Sequence, residues 1–212
     1  MKYLIFFILI SSGIVVNGQI IAITEKGDTV ILQENGSWKY QNADSTQPGY
    51  DTIAWNTKSF YKNSRAKYFK KSKNVNIGVY FDQSQWGCIS GGIGESGEYT
   101  FMNRDKDLNA TFITETTEME LSNMVEIVLT NAQLSAPDIE LISKEYRNVN
   151  ELKILCLKLK GTVKGIKANY LYYIFCNETG IVQFVAYATP KKFEANYKVL
   201  EDLLNGLTVF TK

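Results

Sequence analysis

The residues 91–99, GGIGESGEY, place Gly92, Gly94 and Gly97 in a G-x-G-x-x-G spacing, the pattern of loops that cradle phosphate. A phosphate cradle needs a strand before the glycines, a helix opening directly on them and an acidic residue about 20 positions on. Here Trp86-Gly87-Cys88 precedes the glycines, and Glu98-Tyr99-Thr100-Phe101 reads as a strand after them. Glu95 and Glu98 would repel a phosphate. GESG also lacks the G-x-S-x-G spacing of a nucleophile elbow, and no histidine exists to activate Ser96. The glycines therefore read as a mobile strand-to-strand connection, with Trp86 and Cys88 at its base and part of a binding surface as its candidate role.

Other reactive types are sparse. The chain contains no histidine, which excludes His-dependent Ser and Cys nucleophiles, the usual catalytic zinc sites and haem ligation by histidine. Asp105-Lys106-Asp107-Leu108-Asn109 matches the opening of a calcium loop, but Ala110 and Thr116 stand where glycine and glutamate are needed. It reads as a polar hairpin turn. Asp82, Glu95, Glu98, Glu115 and Glu118 are the carboxylates available for acid/base work; spacing alone does not make any two of them face each other across a substrate. Cys88 lies in the glycine-rich stretch, whereas Cys156 and Cys176 sit in strand-like apolar runs, and a 156–176 disulfide depends on a register that the spacing leaves open. Sequons at Asn35, Asn109 and Asn177 matter only in a host that glycosylates exported proteins. No catalytic residue, cofactor or metal ligand is assigned.

The strongest charge bias lies in KSFYKNSRAKYFKKSK, 58–73, with Lys58, Lys62, Arg65, Lys67, Lys70, Lys71 and Lys73 and no acid. Phe60, Tyr61, Tyr68 and Phe69 interleave with the cations. Two readings stand: an anion-binding surface for headgroups, cell-wall polymer or an acidic partner, or a solvated helix or loop whose aromatics face the core. On the first, Lys62, Arg65, Lys70 and Lys71, with Trp86, form the candidate partner-binding surface.

These residues must be positioned by the rest of the chain. Residues 1–18 carry Lys2, an apolar run from Tyr3 to Ile10 and a Val16-Asn17-Gly18 cleavage pattern, so a removed signal peptide and an exported protein, periplasmic or extracellular, are expected. From Gln19 on, basic and acidic residues are equal in number, which argues against nucleic acid as a partner. No later stretch is long and apolar enough to span a bilayer as a helix. Residues 19–41 hold strand runs Ile20–Thr24 and Thr29–Gln33 and the segment Trp38-Lys39-Tyr40, separated by Lys26-Gly27-Asp28 and Glu34-Asn35-Gly36-Ser37. They predict a three-stranded β-meander. It resembles a short element, Lys26-Gly27, Val30, Leu32, Asn35-Gly36, Trp38, Tyr40, that recurs near the start of many exported bacterial proteins. Residues 42–50, with Pro48-Gly49, read as a linker.

The main domain, 51–212, opens with strand signals at Val75–Phe81, Glu98–Asn103 and Leu108–Thr114. Thr117 and Glu120 form a capping-box pattern before a helix whose apolar face is Leu121, Val125, Val128 and Ala132 and which stops before Pro137. Ile139–Tyr146, Leu152–Leu159, Tyr170–Cys176 and Ile181–Ala188 read as four consecutive strands. In the aromatic run Tyr170–Phe175, alternation should point one set at a helix layer and leave the other partly open. Thr189-Pro190 opens a last helix, with Phe193, Tyr197, Leu200 and Leu204 facing inward and Gly206 closing it. Short turns make neighbouring strands antiparallel, and helices before and after them cover both faces. The expected fold is α+β, an α/β/α sandwich around an antiparallel sheet.

That order, with the phrases IELISKEYRNVNELKILCLKLKG and NYLYYIFCNETGIVQFVAYAT…LEDLLNGL, resembles the PsbP-like fold. The resemblance spans roughly 55–210 and is strongest from Ile139 to Leu207. That group includes the extrinsic photosystem II protein, a eukaryotic Ran-binding relative and exported bacterial members without assigned role. The resemblance implies a docking or accessory module, with no functional residue carried over. The leading expectation is a non-enzymatic exported protein that binds a protein partner or cell-envelope component. The alternative is a small-molecule or lipid carrier using a cleft between sheet and helix; an enzyme relying on carboxylates or Cys88 stands third.

Overall fold

The structure is a computed structural model that describes residues 20–23, 29–32, 38–40, 53–92 and 94–210. The expected signal peptide, the linker 42–50 and the turns of the meander lie outside the described residues. Two compact units divide between Thr52 and Ile53. In the first, β1 (Ile20–Ile23), β2 (Thr29–Leu32) and β3 (Trp38–Tyr40) pair in order as an antiparallel sheet.

The second unit is built on an eight-stranded sheet. Its strands are β4 (Ala54–Phe60), β7 (Gly87–Gly92), β8 (Gly94–Asn103), β9 (Leu108–Glu115), β10 (Glu140–Val149), β11 (Leu152–Val163), β12 (Ile166–Asn177) and β13 (Gly180–Ala188). Their spatial order is β4-β10-β11-β12-β13-β9-β8-β7. The sheet is antiparallel, as expected, and among the described strands β4 joins it in parallel with β10. The connection from β4 back to β10 runs through half of the domain, which frees β4 from the antiparallel geometry that a tight hairpin imposes.

Hairpins generate the middle of the sheet. β10 and β11 meet at Asn150 and Glu151, with φ of 48° and 69°; β11 and β12 meet at Lys164 and Gly165, with φ of 49° and 79°. Two successive positive φ angles match the right-handed strand twist, which is why such short turns join adjacent strands. The turns fall at Asn150-Glu151 and at Glu178-Thr179, so β10 and β13 run longer than the apolar runs alone predict.

One face of the sheet carries α1 (Met124–Ser135), preceded by a single 3-10 turn at Leu121–Asn123. Met124 and Val128 pack on Leu155, Leu157, Leu159, Ile174 and Ile181. The helix begins later than the Thr117/Glu120 pattern predicts, and Glu120 makes no side-chain cap bond. On the other face lie α2 (Pro190–Ala195) and α3 (Tyr197–Leu204), broken at Asn196 where one continuous helix was expected. Beside them is a second sheet of β5 (Tyr68–Lys71), β6 (Ile77–Phe81) and β14 (Leu207–Val209), in the order β14-β6-β5. Ile77, Val79, Phe81, Phe101, Phe112, Tyr173, Phe184, Leu200, Leu203 and Leu204 form the larger core between these layers.

Candidate functional site

The basic segment is neither helix nor a single loop. Residues 58–60 end β4, 61–67 form a connection and 68–71 form β5. In β5 the period of two sends Tyr68 and Lys70 to one side and Phe69 and Lys71 to the other. Register places Phe69 opposite Tyr80 and Lys71 opposite Gly78, on the face of the small sheet turned away from buried Ile77, Val79 and Phe81. Phe69 stacks on Tyr80 at 4.5 Å between centroids and meets Phe210 edge-on at 5.8 Å. Gly78 makes this possible, because a Cβ there would lie 2.6 Å from the Phe69 ring.

Cations close both ends of this row. Lys62 Nζ lies 5.1 Å from the Tyr80 centroid, and Lys71 Nζ lies 4.9 Å from that of Phe210. Each such contact contributes about 0.5–1 kcal/mol where exposed and holds the ammonium at a fixed place. Phe69, Tyr80 and Phe210 are half-buried, so ring area and two positive charges share one surface.

The expected set splits around that surface. Lys62 and Lys71 belong to it. Lys70 turns to the opposite side, with Nζ 4.5 Å from the Tyr99 ring. Arg65 is directed to Asp82, at 3.6 Å, with its side chain 66% exposed. Trp86 must be withdrawn from any partner-binding surface: it is 3% exposed and belongs to the core with Phe81 and Phe101. The turn Asp82–Trp86 folds its backbone so that Trp86 N–H donates to Asp82 O, which swings the indole under the sheet. Tyr80 and Phe210 were not foreseen; the strand alternation of 77–81 marks Tyr80 as outward, but Phe210 joins only through the tertiary path of β14.

Of the candidate carboxylates, Asp82 and Glu98 are engaged in structural work, and the Glu95 side chain lies outside the described residues. The Ser84 hydroxyl and N–H bond Asp82 and hold its carboxyl below the usual carboxylate range. Glu98 accepts from Ser72 Oγ at 2.7 Å, Lys73 N–H at 2.6 Å and Thr114 Oγ1 at 2.9 Å, fastening the 72–75 turn to β8 and β9. Glu115 and Glu118 are exposed. Asp107 pairs with Lys192 across to α2, and the 104–107 segment is the β8–β9 hairpin turn. Among the described residues no cluster of acidic, cysteine or histidine side chains could hold a metal ion.

The glycine motif spans the apex of the β7–β8 hairpin, where Gly92 pairs with Gly94, and β8 continues from it as strand. All three cysteines are free. Cys156 faces the larger core and Cys176 the α1 side, so the sheet itself separates them and no disulfide can join them. Burial pushes the Cys88 thiol up, with Lys70 opposing, and raises Cys176 and Cys156 to about 11 and about 12. These are protonated thiols at neutral pH and poor nucleophiles.

A buried network escaped the sequence reading altogether. Arg147, 5% exposed on β10, donates to Tyr173 Oη at 2.8 Å and to Glu201 Oε1 on α3 at 2.9 Å, and also pairs with Glu145. Tyr173 Oη in turn donates to Asn205 Oδ1 at 3.0 Å. The one available signal is Glu201 inside the apolar run of α3. Its donors and acceptors are mutually satisfied, which marks a clamp between helix and sheet. The layers beneath are filled: Leu200, Leu203 and Leu204 are buried under α3, as are Met124 and Val128 under α1. Two surface depressions of about 310 Å³ each are open and lined by charged groups, Arg104 and Asp105 in one, Asp138, Glu140, Lys160 and Lys167 in the other.

Neither a family model nor a curated protein matches the chain by sequence. By structure it is similar to the solution structure of cyanobacterial PsbP (CyanoP) from Synechocystis sp. PCC 6803, with a TM-score of 0.54 and 11% identity, covering 68% of this chain and 92% of that one. The fold is PsbP-like. Two further solved structures show weaker likeness: PA94 of Pseudomonas aeruginosa, a protein of unknown function (TM-score 0.44, 8% identity, 68% of this chain and 98% of that one), and the Saccharomyces cerevisiae Ran-binding protein Mog1p (0.45, 9%, 67% and 94%). The PsbP-like fold accounts for the α+β layering around the large sheet.

Proposed function

We propose that this PsbP-like protein is an exported, non-enzymatic accessory module that binds a protein partner or cell-envelope component through the outer face of its small sheet. One observation carries the reading: the row Phe69–Tyr80–Phe210 is half-exposed and ends in Lys62 and Lys71, both held over ring faces. Pre-positioned cations beside aromatic area suit an anionic partner, because the charges steer the encounter and the rings supply contact area. The leader-like residues 1–18 support export.

Purified protein is mixed with envelope material from the source cells, sedimented, and compared with the double variant Lys62→Glu/Lys71→Glu. The variant should lose most of its retention while keeping its circular dichroism spectrum, and wild-type retention should fall with added salt. Protease treatment of the envelope separates a protein partner, lost on digestion, from a polymer or lipid component, which survives. Equal retention of variant and wild type overturns the reading.

A further inference from the structure

The aromatic–cation surface draws Lys62 from a connection between strands, yet Lys62 Nζ lies 5.1 Å from the Tyr80 centroid. A lysine on such a connection has a flexible four-carbon stem and a mobile backbone unless something fixes it. The parallel pairing of β4 with β10 ends at Phe60 and Val149. One residue further on, Asn150 N–H donates to Phe60 O at 2.9 Å, and Asn150 Oδ1 accepts from Lys62 N–H at 3.0 Å. The side-chain amide thereby carries the bonding past the end of the strand, as far as Lys62.

The other end of the same amide reaches the start of β14. Asn150 Nδ2 donates to the Asn205 and Leu207 carbonyls at 2.8 Å each. The carbonyl between them, Gly206 O, accepts from Tyr80 N–H at 2.8 Å. Asn150 thus holds the two carbonyls that flank the one bonded to Tyr80, and it holds the backbone of the lysine that covers the Tyr80 ring. Lys71 is fixed by other means. It pairs with Gly78 within the small sheet, and its ring partner Phe210 donates its own N–H to Asn76 O at 2.9 Å.

We infer that Asn150 is the positioning residue of this surface, its amide setting Lys62 over the Tyr80 ring; the inference rests on the reading of the surface as the binding face. Asparagine suits the place on two counts. Its side chain offers an acceptor oxygen and two donor hydrogens, and here the oxygen serves Lys62 while the nitrogen serves Asn205 and Leu207. Its φ of 48° lies in the left-handed region, which asparagine enters more readily than most residues with a side chain. Aspartate has no donor and would turn a carboxylate on two carbonyls. Glycine would keep the turn but lose the amide.

Reductive methylation with 13C-formaldehyde converts lysines to dimethyl-lysines that keep their charge. NMR then reads the ring current at Lys62 and Lys71, each assigned by loss of its signal in Lys62→Arg or Lys71→Arg. In wild type both signals should lie upfield of those of exposed lysines. Asn150→Gly should return the Lys62 signal to the exposed position and leave the Lys71 signal and the circular dichroism spectrum unchanged. Its unmethylated form should be retained on envelope material about two- to fivefold less than wild type, the factor that one exposed cation–π contact is worth. Adding Asn150→Gly to Lys62→Ala should lower retention no further than Lys62→Ala alone. Asn150→Ser serves if Asn150→Gly fails to fold. A Lys62 signal that stays upfield in the folded variant overturns the inference. So does movement of both signals together, which marks a general structural role, or full retention where Lys62→Glu/Lys71→Glu has lost it. Wild type that is not retained at all overturns the reading of the surface instead, and the Lys62 signal then decides the inference by itself.

Discussion

Arg147 shows how much one residue can organise in this domain. Its guanidinium lies 4.4 Å from the Phe60 ring and bonds Tyr173 and Glu201, joining β4, β10, β12 and α3. Removing one partner of a buried pair strands the other charge, at a cost of about 3–5 kcal/mol, whereas replacing both by apolar groups is far milder. Glu145 and Tyr173 still hold Arg147 when Glu201 is removed, so Glu201→Leu should lose about 3 kcal/mol, the low end of that range, in urea denaturation, and Arg147→Met/Glu201→Leu should recover part of it. A single-variant loss below about 1 kcal/mol would show the clamp to be unimportant. The cysteines make a second residue-scale case. A thiol raised in the folded state contributes stability below its unfolded pKa of about 8.5; for Cys156 that contribution is lost as pH rises from there toward about 12. In the native protein Cys88 should react first with Ellman's reagent and Cys156, 2% exposed, only on unfolding. Rapid reaction of all three thiols would contradict this packing.

Elements here are set by glycine and by turn geometry at a few positions. Gly206 ends α3 and donates to Leu203 O, while its own carbonyl accepts from Tyr80 N–H at 2.8 Å. A Cβ at Gly206 would fall 1.8 Å from Tyr80 O, so Gly206→Ala must push β6 away and should cost about 2 kcal/mol or more. Gly87→Ala, whose Cβ meets nothing nearer than 3.8 Å, is the control and should stay within about 0.5 kcal/mol. At the β10–β11 turn Glu151 holds φ 69°, a conformation costing a side-chain-bearing residue about 1–2 kcal/mol. Glu151→Gly should accordingly raise the denaturation midpoint, and a lowered midpoint would mean that the Glu151 side chain contributes something its backbone does not show. The hairpins from β10 to β13 were legible because strand alternation and turn residues are local. β14 was not: three residues after a helix become a strand only because β6 presents an edge to them.

At the scale of the molecule, the division at Thr52–Ile53 leaves the second unit with its own closed cores on both faces of the large sheet. A chain starting at Ile53 should thus fold alone and melt in one cooperative transition by calorimetry. A broad, non-cooperative melt would show that the first unit is needed for folding. The amino-acid sequence by itself determined the α+β class, the four-strand run, the last helix boundaries near Pro190 and Gly206, the absence of histidine chemistry and the charge bias of 58–73. Those follow from composition, periodicity and turn residues, which act over a few neighbours. Only the tertiary structure decided which side of a strand each of those cations takes. It separated Lys70 from Lys71, buried Trp86, and set Tyr80 and Phe210 beside Phe69. It also joined Arg147 to Glu201 across 54 positions. These depend on register and on contacts between distant segments, and a one-residue change of register turns every side chain to the opposite face.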